Sequence, residues 1–456
     1  MCQGDERYIL AFFLSSSSSI RLNSKQKYKL LMQLEEVIKK IEPSEKEIEK
    51  ARAVAKKIIE KLNKENYEAV LVGSVARGTA LKPIKDIDIF VFFPSNMPKE
   101  MLDKKIKDLG KKVFKKTETH YAEHPYVKGK VKGFYVELVP CYKIKPGQKI
   151  KSAVDRTPLH NEYLMERLKE KHKREVLLLK QFLKNINCYG ADQKTHGFSG
   201  YLCELLILHY GSFEELLKNA ARWERKTVID IEGHGKNTRS FIEPLIVIDP
   251  VDPERNVASA VDRTSLSKFI WACRSYLENP SEEQFFGKHE KIDLKKKAQG
   301  RKLISISMPY PDVVPEIAWS QLEKMAKMLK EQLRDNEFEV YRSFYWTDEK
   351  KESVILMELL SDELSSVVKH KGPEIWDEKN TKAFIEKNPD FWFYRSRVYA
   401  WRKRRFVKAE EFIRQLLKEG IVVPSHYQKL AKKAKIRTGK DVLKHKEMME
   451  LYFRKG

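Results

Sequence analysis

Residues 69–93 read AVLVGSVARGTALKPIKDIDIFVFF. Ala69–Gly73 reads as a buried strand and Asp86–Phe93 as a second strand with a period of two. Successive strand side chains point to opposite faces. Asp86 and Asp88 therefore share one face, and Ile87, Ile89 and Val91 the other. Two neighbouring carboxylates repel each other, and a divalent cation relieves that repulsion. Hard oxygen donors with little histidine or cysteine nearby favour Mg²⁺ over zinc. Gly73-Ser74 closes the first strand ahead of what reads as a short helix. Gly73 lets the backbone approach a phosphate closely. The Ser74 hydroxyl, the adjoining backbone N–H groups and Arg77 can then hold its oxygens.

Two metal ions need a third carboxylate. GFYVELVP (133–140) offers Glu137 on a third expected strand, Val131–Val139, with Tyr135 and Val139 on the same face. Asp155 competes for the role from a loop-like stretch. A lone DxD is common and usually marks a turn or a strand end. A GS turn, a DxD twelve positions after Ser74 and a carboxylate on a third strand are together more specific. They form the pattern of the nucleotidyltransferase superfamily that includes DNA polymerase β and poly(A) polymerases.

The 456 residues suggest about three domains. Hydrophobic residues make up 41% and charged residues 34%, which excludes a globally disordered chain. No apolar run approaches the roughly 18 residues that cross a bilayer, which excludes an integral membrane protein, and no membrane partner is expected. Lys and Arg number 89 against 65 Asp and Glu, a net charge of +24 spread from end to end. Such a field suits a polyanion, nucleic acid first and an anionic membrane surface second. Abundant Lys and Glu in a thermophile would explain the charge content but not the imbalance. Five widely spaced cysteines without a CxxC argue against zinc and disulfides, and a cytoplasmic protein is expected.

Residues 1–24 look foreign to the rest: Tyr8–Leu14 is apolar and Ser15–Ser19 follows. A disordered or misannotated extension is expected there. Helical patterns begin at Gln26 and at Ser44, an N-cap candidate with Glu47 three residues on. After an α/β segment over 25–155, the pattern of 156–280 is helical, with the stripe Val176, Leu179, Phe182, Leu183 and Ile186. Residues 279–288 read as a boundary. In 281–456, strands at Lys302–Met308, Glu337–Phe344 and Ser353–Leu360 around a helix at Trp319–Leu333 fit a ferredoxin-like α+β module. Basic, aromatic-rich helices are expected after it. The fold class is therefore multidomain, α/β and α+β.

The sequence also resembles one family closely, the archaeal-type (class I) CCA-adding enzymes, tRNA nucleotidyltransferases of the polymerase β-like superfamily. The resemblance lies in VGSVARGTALKPIKDIDIFVFFP (72–94), YAEHPYVKGKVKGFYVELVPCYKI (121–144), IKSAVDRTPLHNEYL (150–164), YGADQKTHGFSGYLCELLILHYGSF (189–213) and DPVDPERNVA (249–258). It implies a nucleotidyltransferase head, a helical neck, and an α+β body and tail. The implied activity is template-independent addition and repair of the tRNA 3′-terminal CCA from CTP and ATP, with tagging of unstable tRNAs by a second CCA. Two Mg²⁺ ions, a homodimer, and tRNA gripped at its acceptor stem, T-loop and 3′ end belong to the same expectation.

By the resemblance, Asp86, Asp88 and Glu137 would be the metal-binding, catalytic carboxylates. The family's third carboxylate is more often Asp, so Glu137 is a departure. Gly73, Ser74 and Arg77 would meet the triphosphate. Thr157 and His160 would contact the nucleotide, and Lys180 and Tyr189 the triphosphate. Arg255 would read the base edge with help from tRNA phosphate, and His124 is a weaker candidate. Each has an ordinary alternative: a solvated Lys180, a helix-terminal turn at Tyr189-Gly190, a satisfied loop His160, a surface Arg255. RSRVYAWRKRR (395–405), preceded by Phe391–Tyr394, would hold RNA by phosphate contacts and stacking. The alternative is an aromatic cluster behind a basic helix face. Two rivals stand beside the family reading: a poly(A) or oligoadenylate polymerase, and a catalytically inactive RNA-binding protein.

Overall fold

The computed structural model describes residues 24–121, 125–144, 150, 152–235, 238–287 and 292–454. The first 23 residues and His124 lie outside them. The chain divides into two compact units, residues 1–288 and 289–456.

The first unit opens with α1 (Ser24–Ile41) and α2 (Glu45–Lys64). Ser44 caps α2, its Oγ accepting the Glu47 N–H at 3.3 Å. Glu47 does not close a capping box; its carboxylate accepts the Ile84 N–H at 2.7 Å. Next come β1 (Ala69–Val72), α3 (Gly73–Arg77), β2 (Asp86–Phe93), α4 (Lys99–Val113), β3 (Glu118–Tyr121), β4 (Pro125–Val131) and β5 (Phe134–Tyr142). The sheet order is β1-β2-β5-β4-β3, with β2 and β5 parallel and the other pairs antiparallel. β3 and β4 are additions to the three expected strands.

The pleat sorts the side chains as the alternation requires. Ile87, Ile89, Val91 and Phe93 turn to a core shared with Val54 and Ile58 of α2 and Leu102 and Ile106 of α4. Asp86 and Asp88 are left on the opposite face.

The rest of this unit is α5 (Arg156–Arg167), α6 (Glu170–Asn185), α7 (Gly200–Tyr210), α8 (Phe213–Ala220), β6 (Thr227–Ile229), β7 (Leu245–Asp249), β8 (Asp252–Asn256), α9 (Arg263–Glu278) and α10 (Glu283–Phe286). The helices share one core with Val37, Ile38 and Ile41 of α1. Phe182, Phe213, Tyr276 and Phe285 meet ring to ring at 5.5–5.8 Å. The expected helical region also carries a small sheet, β6-β7-β8.

The second unit holds α11 (Leu294–Ala298), β9 (Lys302–Pro309), α12 (Pro315–Asp335), β10 (Val340–Thr347), β11 (Glu352–Leu359), β12 (Val367–Glu374), α13 (Glu378–Lys387), β13 (Phe391–Tyr394), β14 (Arg397–Lys403), α14 (Ala409–Glu419), α15 (Gln428–Ala431), β15 (Lys435–Thr438) and α16 (Lys446–Arg454). The antiparallel order β10-β11-β9-β15, with α12 after its first strand and α14 before its last, is the ferredoxin-like plan. α12 and α14 pack on one face, and α16 covers the other with Met448, Met449 and Tyr452.

One expectation fails here. The stretch 395–405 is not helical. It supplies the turn and second strand of the β13–β14 hairpin in a further sheet, β12-β14-β13, with Arg395 in the left-handed region at the turn. Alternating aromatic and basic residues have the period of a strand, and aromatic and β-branched residues favour the pleat. The tract 429–446 runs from the short helix α15 through β15 and a 3₁₀ turn at Gly439–Lys444. Among the described residues, no helix is long and apolar enough to cross a membrane.

Candidate active site

The parallel pairing of β2 with β5 sets Asp88 directly opposite Glu137, with Asp86 two residues before Asp88 on the same face. β4 brings Lys128 opposite Glu137 from the other side. Its ammonium donates to Glu137 Oε1 at 2.9 Å and to Asp86 Oδ1 at 3.2 Å. Burial alone would lower the Lys128 pKa, but the hydrogen bonds and charges of Glu137 and Asp86 hold it above its ordinary value. Asp88 lies deeper. Burial first, then the charges of Glu137 and Asp86, push its carboxyl up to about 7. The face thus carries more negative charge than its surroundings satisfy.

Among the described residues, no three carboxylate, histidine or cysteine side chains are closed into a metal-holding set. Lys128 is the cation between Asp86 and Glu137 as they stand. The donors nonetheless suit a hard divalent ion, being carboxylate oxygens from two paired strands with an unrelieved charge at Asp88. Asp155, the competing carboxylate, is spent elsewhere. It accepts the Tyr142 N–H at 2.8 Å and the Ser152 N–H at 2.7 Å.

Beside the carboxylates, Gly73 turns the chain from β1 into α3 with φ +75°. A side chain there would strike Asp88 Oδ2. Ser74, in the first turn of α3, is half-buried, and its carbonyl accepts the Thr79 N–H at 2.9 Å.

Arg77 points into the protein rather than to solvent. It donates to Glu204 Oε2 through Nε at 3.1 Å and Nη2 at 2.8 Å, and to Asn161 Oδ1 through Nη1 at 2.8 Å. Glu204 has no exposed surface. Its other oxygen accepts the Thr79 hydroxyl and lies 3.7 Å from Lys180 Nζ. Lys180 also donates to the Thr79 carbonyl at 2.9 Å. Burial would raise the Glu204 carboxyl, but Arg77 and Lys180 hold it below its ordinary value. Lys180 is thus buried and bonded, not a solvated lysine beside an apolar stripe. Tyr189 neighbours this cluster, since its hydroxyl and Lys180 Nζ both lie within 4 Å of the point where a Gly200 side chain would begin.

A second cluster gathers around Asp249 at the end of β7. His160 Nε2 reaches Asp249 Oδ2 at 2.8 Å, and Arg255 Nη1 reaches the same oxygen at 2.7 Å. His160 lies inside α5, not in a loop, and Thr157 is half-buried in the first turn of that helix. Burial lowers the His160 pKa against the opposing pull of Asp249.

Sequence reasoning missed Lys128, Glu204, Asn161 and Asp249. Glu204 had a visible signal, as the one acidic residue of an otherwise apolar GYLCELLILHY helix. Lys128 had none, because its strand was not expected.

Three family models match consecutive parts of the chain. The nucleotidyltransferase domain matches residues 52–160, the tRNA nucleotidyltransferase second domain 174–286, and the CCA-adding enzyme C-terminal domain 299–437. The CCA-adding enzyme of Archaeoglobus fulgidus is 40% identical over 395 residues, covering 84% of this chain and 89% of its own. That of Methanothermobacter thermautotrophicus is 37% identical, covering 84% and 87%. That of Methanocaldococcus jannaschii is 39% identical, covering 82% and 87%. With identity of this order along nearly the whole length, and with a head built on paired carboxylate strands, the chain belongs to the CCA-adding enzyme family of tRNA nucleotidyltransferases.

Proposed function

We propose that the chain adds and repairs the 3′-terminal CCA of tRNA without a template, using CTP and ATP and releasing pyrophosphate. The observation that carries this is the family match over 84% of the chain, with Asp86, Asp88 and Glu137 collected on one face of two neighbouring inner strands.

The three carboxylates would hold two Mg²⁺ ions. When bound, Mg²⁺ supplies acidification of the tRNA 3′-hydroxyl and neutralisation of charge on the triphosphate. Gly73 and Ser74 offer a close backbone and a hydroxyl to phosphate oxygens. Arg77 and Lys180 bring two positive charges against the single negative charge of Glu204. The positive charge left over favours a triphosphate, with Tyr189 beside it. Thr157, His160 and Arg255 line the nucleotide's sugar and base. An arginine fork tests the pattern of donors and acceptors on a base edge, which differs between cytosine and adenine.

In the second unit, the open face of β12-β14-β13 stacks Trp392 on Tyr399 and sets Trp401 4.9 Å from Trp392. Lys369 stands 4.2 Å over Tyr399. Rings with lysine and arginine among them suit ribose, bases and phosphates of the tRNA acceptor stem and T-loop. Function as a homodimer belongs to the same reading.

The test is incorporation on a tRNA transcript ending at the discriminator base, with Mg²⁺ and labelled nucleotides. Two additions with CTP alone, and one more when ATP joins, are expected. A long A tail would instead identify a poly(A) polymerase, and bound tRNA without incorporation an inactive RNA-binding protein.

A further inference from the structure

Asp249 carries no exposed surface, yet four donors converge on it. Oδ2 meets both His160 Nε2 at 2.8 Å and Arg255 Nη1 at 2.7 Å. Oδ1 accepts the Val251 N–H at 3.1 Å and the Tyr201 hydroxyl at 3.4 Å. An ionised carboxylate only accepts, so the His160 nitrogen that faces it carries the proton. Tyr201 also stacks on that imidazole, ring centres 4.0 Å apart and 23° from parallel. A separate pair, Arg156 Nε to Asp252 Oδ2 at 2.6 Å, ties the β7–β8 corner to α5.

The arrangement is lopsided in an informative way. Behind Arg255, Asp249 and His160 are buried and bonded, while a third of the Arg255 side chain remains exposed. One edge of the guanidinium is anchored on Asp249, and the fork has five N–H donors in a plane. An arginine that served only to neutralise a buried carboxylate would not need a stacked histidine on the same oxygen.

We propose that Asp249 is the positioning residue for nucleotide selection, fixing the Arg255 fork and the His160 ring on one oxygen so that only a matching base edge satisfies both. This rests on the reading of Arg255 as the base contact. A guanidinium free to rotate would accommodate several edges. Loss of Asp249 therefore removes discrimination as well as affinity, because a site built around fixed hydrogen-bond partners rejects the wrong edge by leaving those partners unpaired.

The experiment uses the full chain with Asp249→Asn, Arg255→Ala, the double variant and Tyr201→Phe. The readouts are the ratio of kcat/KM for CTP over UTP on tRNA ending at the discriminator base, and for ATP over GTP on tRNA ending in CC. Such ratios do not depend on the fraction of active protein. D249N and R255A should each lower both ratios roughly 10-fold or more, with KM rising more than kcat falls. The double variant should be no worse than R255A alone. Tyr201→Phe keeps the stack and loses only the hydroxyl contact, so it tests the proposal if D249N does not fold; its ratios should fall about 2–3-fold. Wild-type ratios in D249N, or in Y201F if D249N is lost, with R255A impaired would overturn the proposal while leaving Arg255 as the base contact. Wild-type ratios in R255A would overturn the base-reading role itself.

Discussion

The Cβ that Gly73 lacks would lie 2.2 Å from Asp88 Oδ2. The turn that would receive the triphosphate and the carboxylate that would hold the metal therefore share one space, and only glycine permits both. Gly73→Ala should lower incorporation by roughly 100-fold or more, because displacing the reacting groups by about 1 Å is enough for that. The positive φ adds about 1 kcal/mol of strain. Steady-state incorporation and a thermal unfolding curve would separate the two effects, and near-wild-type turnover would show that Asp88 has another way to sit.

Asp88 gives a pH dependence with a defined sign. Its carboxyl is raised from 3.8 to about 7, so the folded state prefers the protonated form more than the unfolded chain does. In metal-free protein this stabilising preference is complete below pH 3.8 and disappears as pH rises through about 7. A metal competes with that proton. Mn²⁺ affinity measured by electron paramagnetic resonance should therefore rise by up to ~10-fold per pH unit below about 7 and flatten above it. A flat profile from pH 5.5 to 8 would remove Asp88 from the metal site.

Lys128 places one positive charge between Asp86 and Glu137 and offsets part of their repulsion. Lys128→Met should lower the melting temperature in EDTA and enlarge the increase that Mg²⁺ produces. Removing this partly exposed ion pair should cost about 1 kcal/mol. An unchanged melting temperature with and without Mg²⁺ would mean the lysine carries little of that charge balance.

Glu204 is the acceptor for Arg77, Thr79 and Lys180 in a buried cluster. Glu204→Ala leaves two cations without their carboxylate, and such losses cost about 3–5 kcal/mol. Urea unfolding should show it as an earlier transition of the unit that holds residues 1–288. The KM for CTP should also rise, since Arg77 would no longer be held. Full stability would mean that the Arg77–Glu204 pair can be replaced by water.

Trp401 is 48% exposed on the open face of the second unit's sheet. Trp401→Ala should weaken tRNA binding by roughly 5-fold to 100-fold, the range for losing one stacking ring, and leave single-nucleotide binding alone. Filter binding against CTP titration distinguishes the two, and unchanged tRNA affinity would move the RNA contact off this face.

Local periodicity and turn chemistry were enough to place Asp86, Asp88 and Glu137 on strands and Gly73-Ser74 at a strand end. Period two puts both aspartates on one face whatever surrounds them, and a glycine before a short helix needs no distant partner to be read. The βαββ order of the second unit was legible for the same reason. The β12-β14-β13 sheet was not, because in RSRVYAWRKRR the alternation with a strand's period lasts only a few residues before a basic run, and the segment becomes a strand by pairing with 367–374 and 391–394. Only the tertiary structure could decide that Lys128 sits between two carboxylates, that Arg77 faces a buried Glu204, and that His160 and Arg255 share one oxygen of Asp249. Those partners lie 6 to 127 positions apart. Their pairing depends on burial, where an unpaired charge is too costly to leave, and burial is a property of the packed chain.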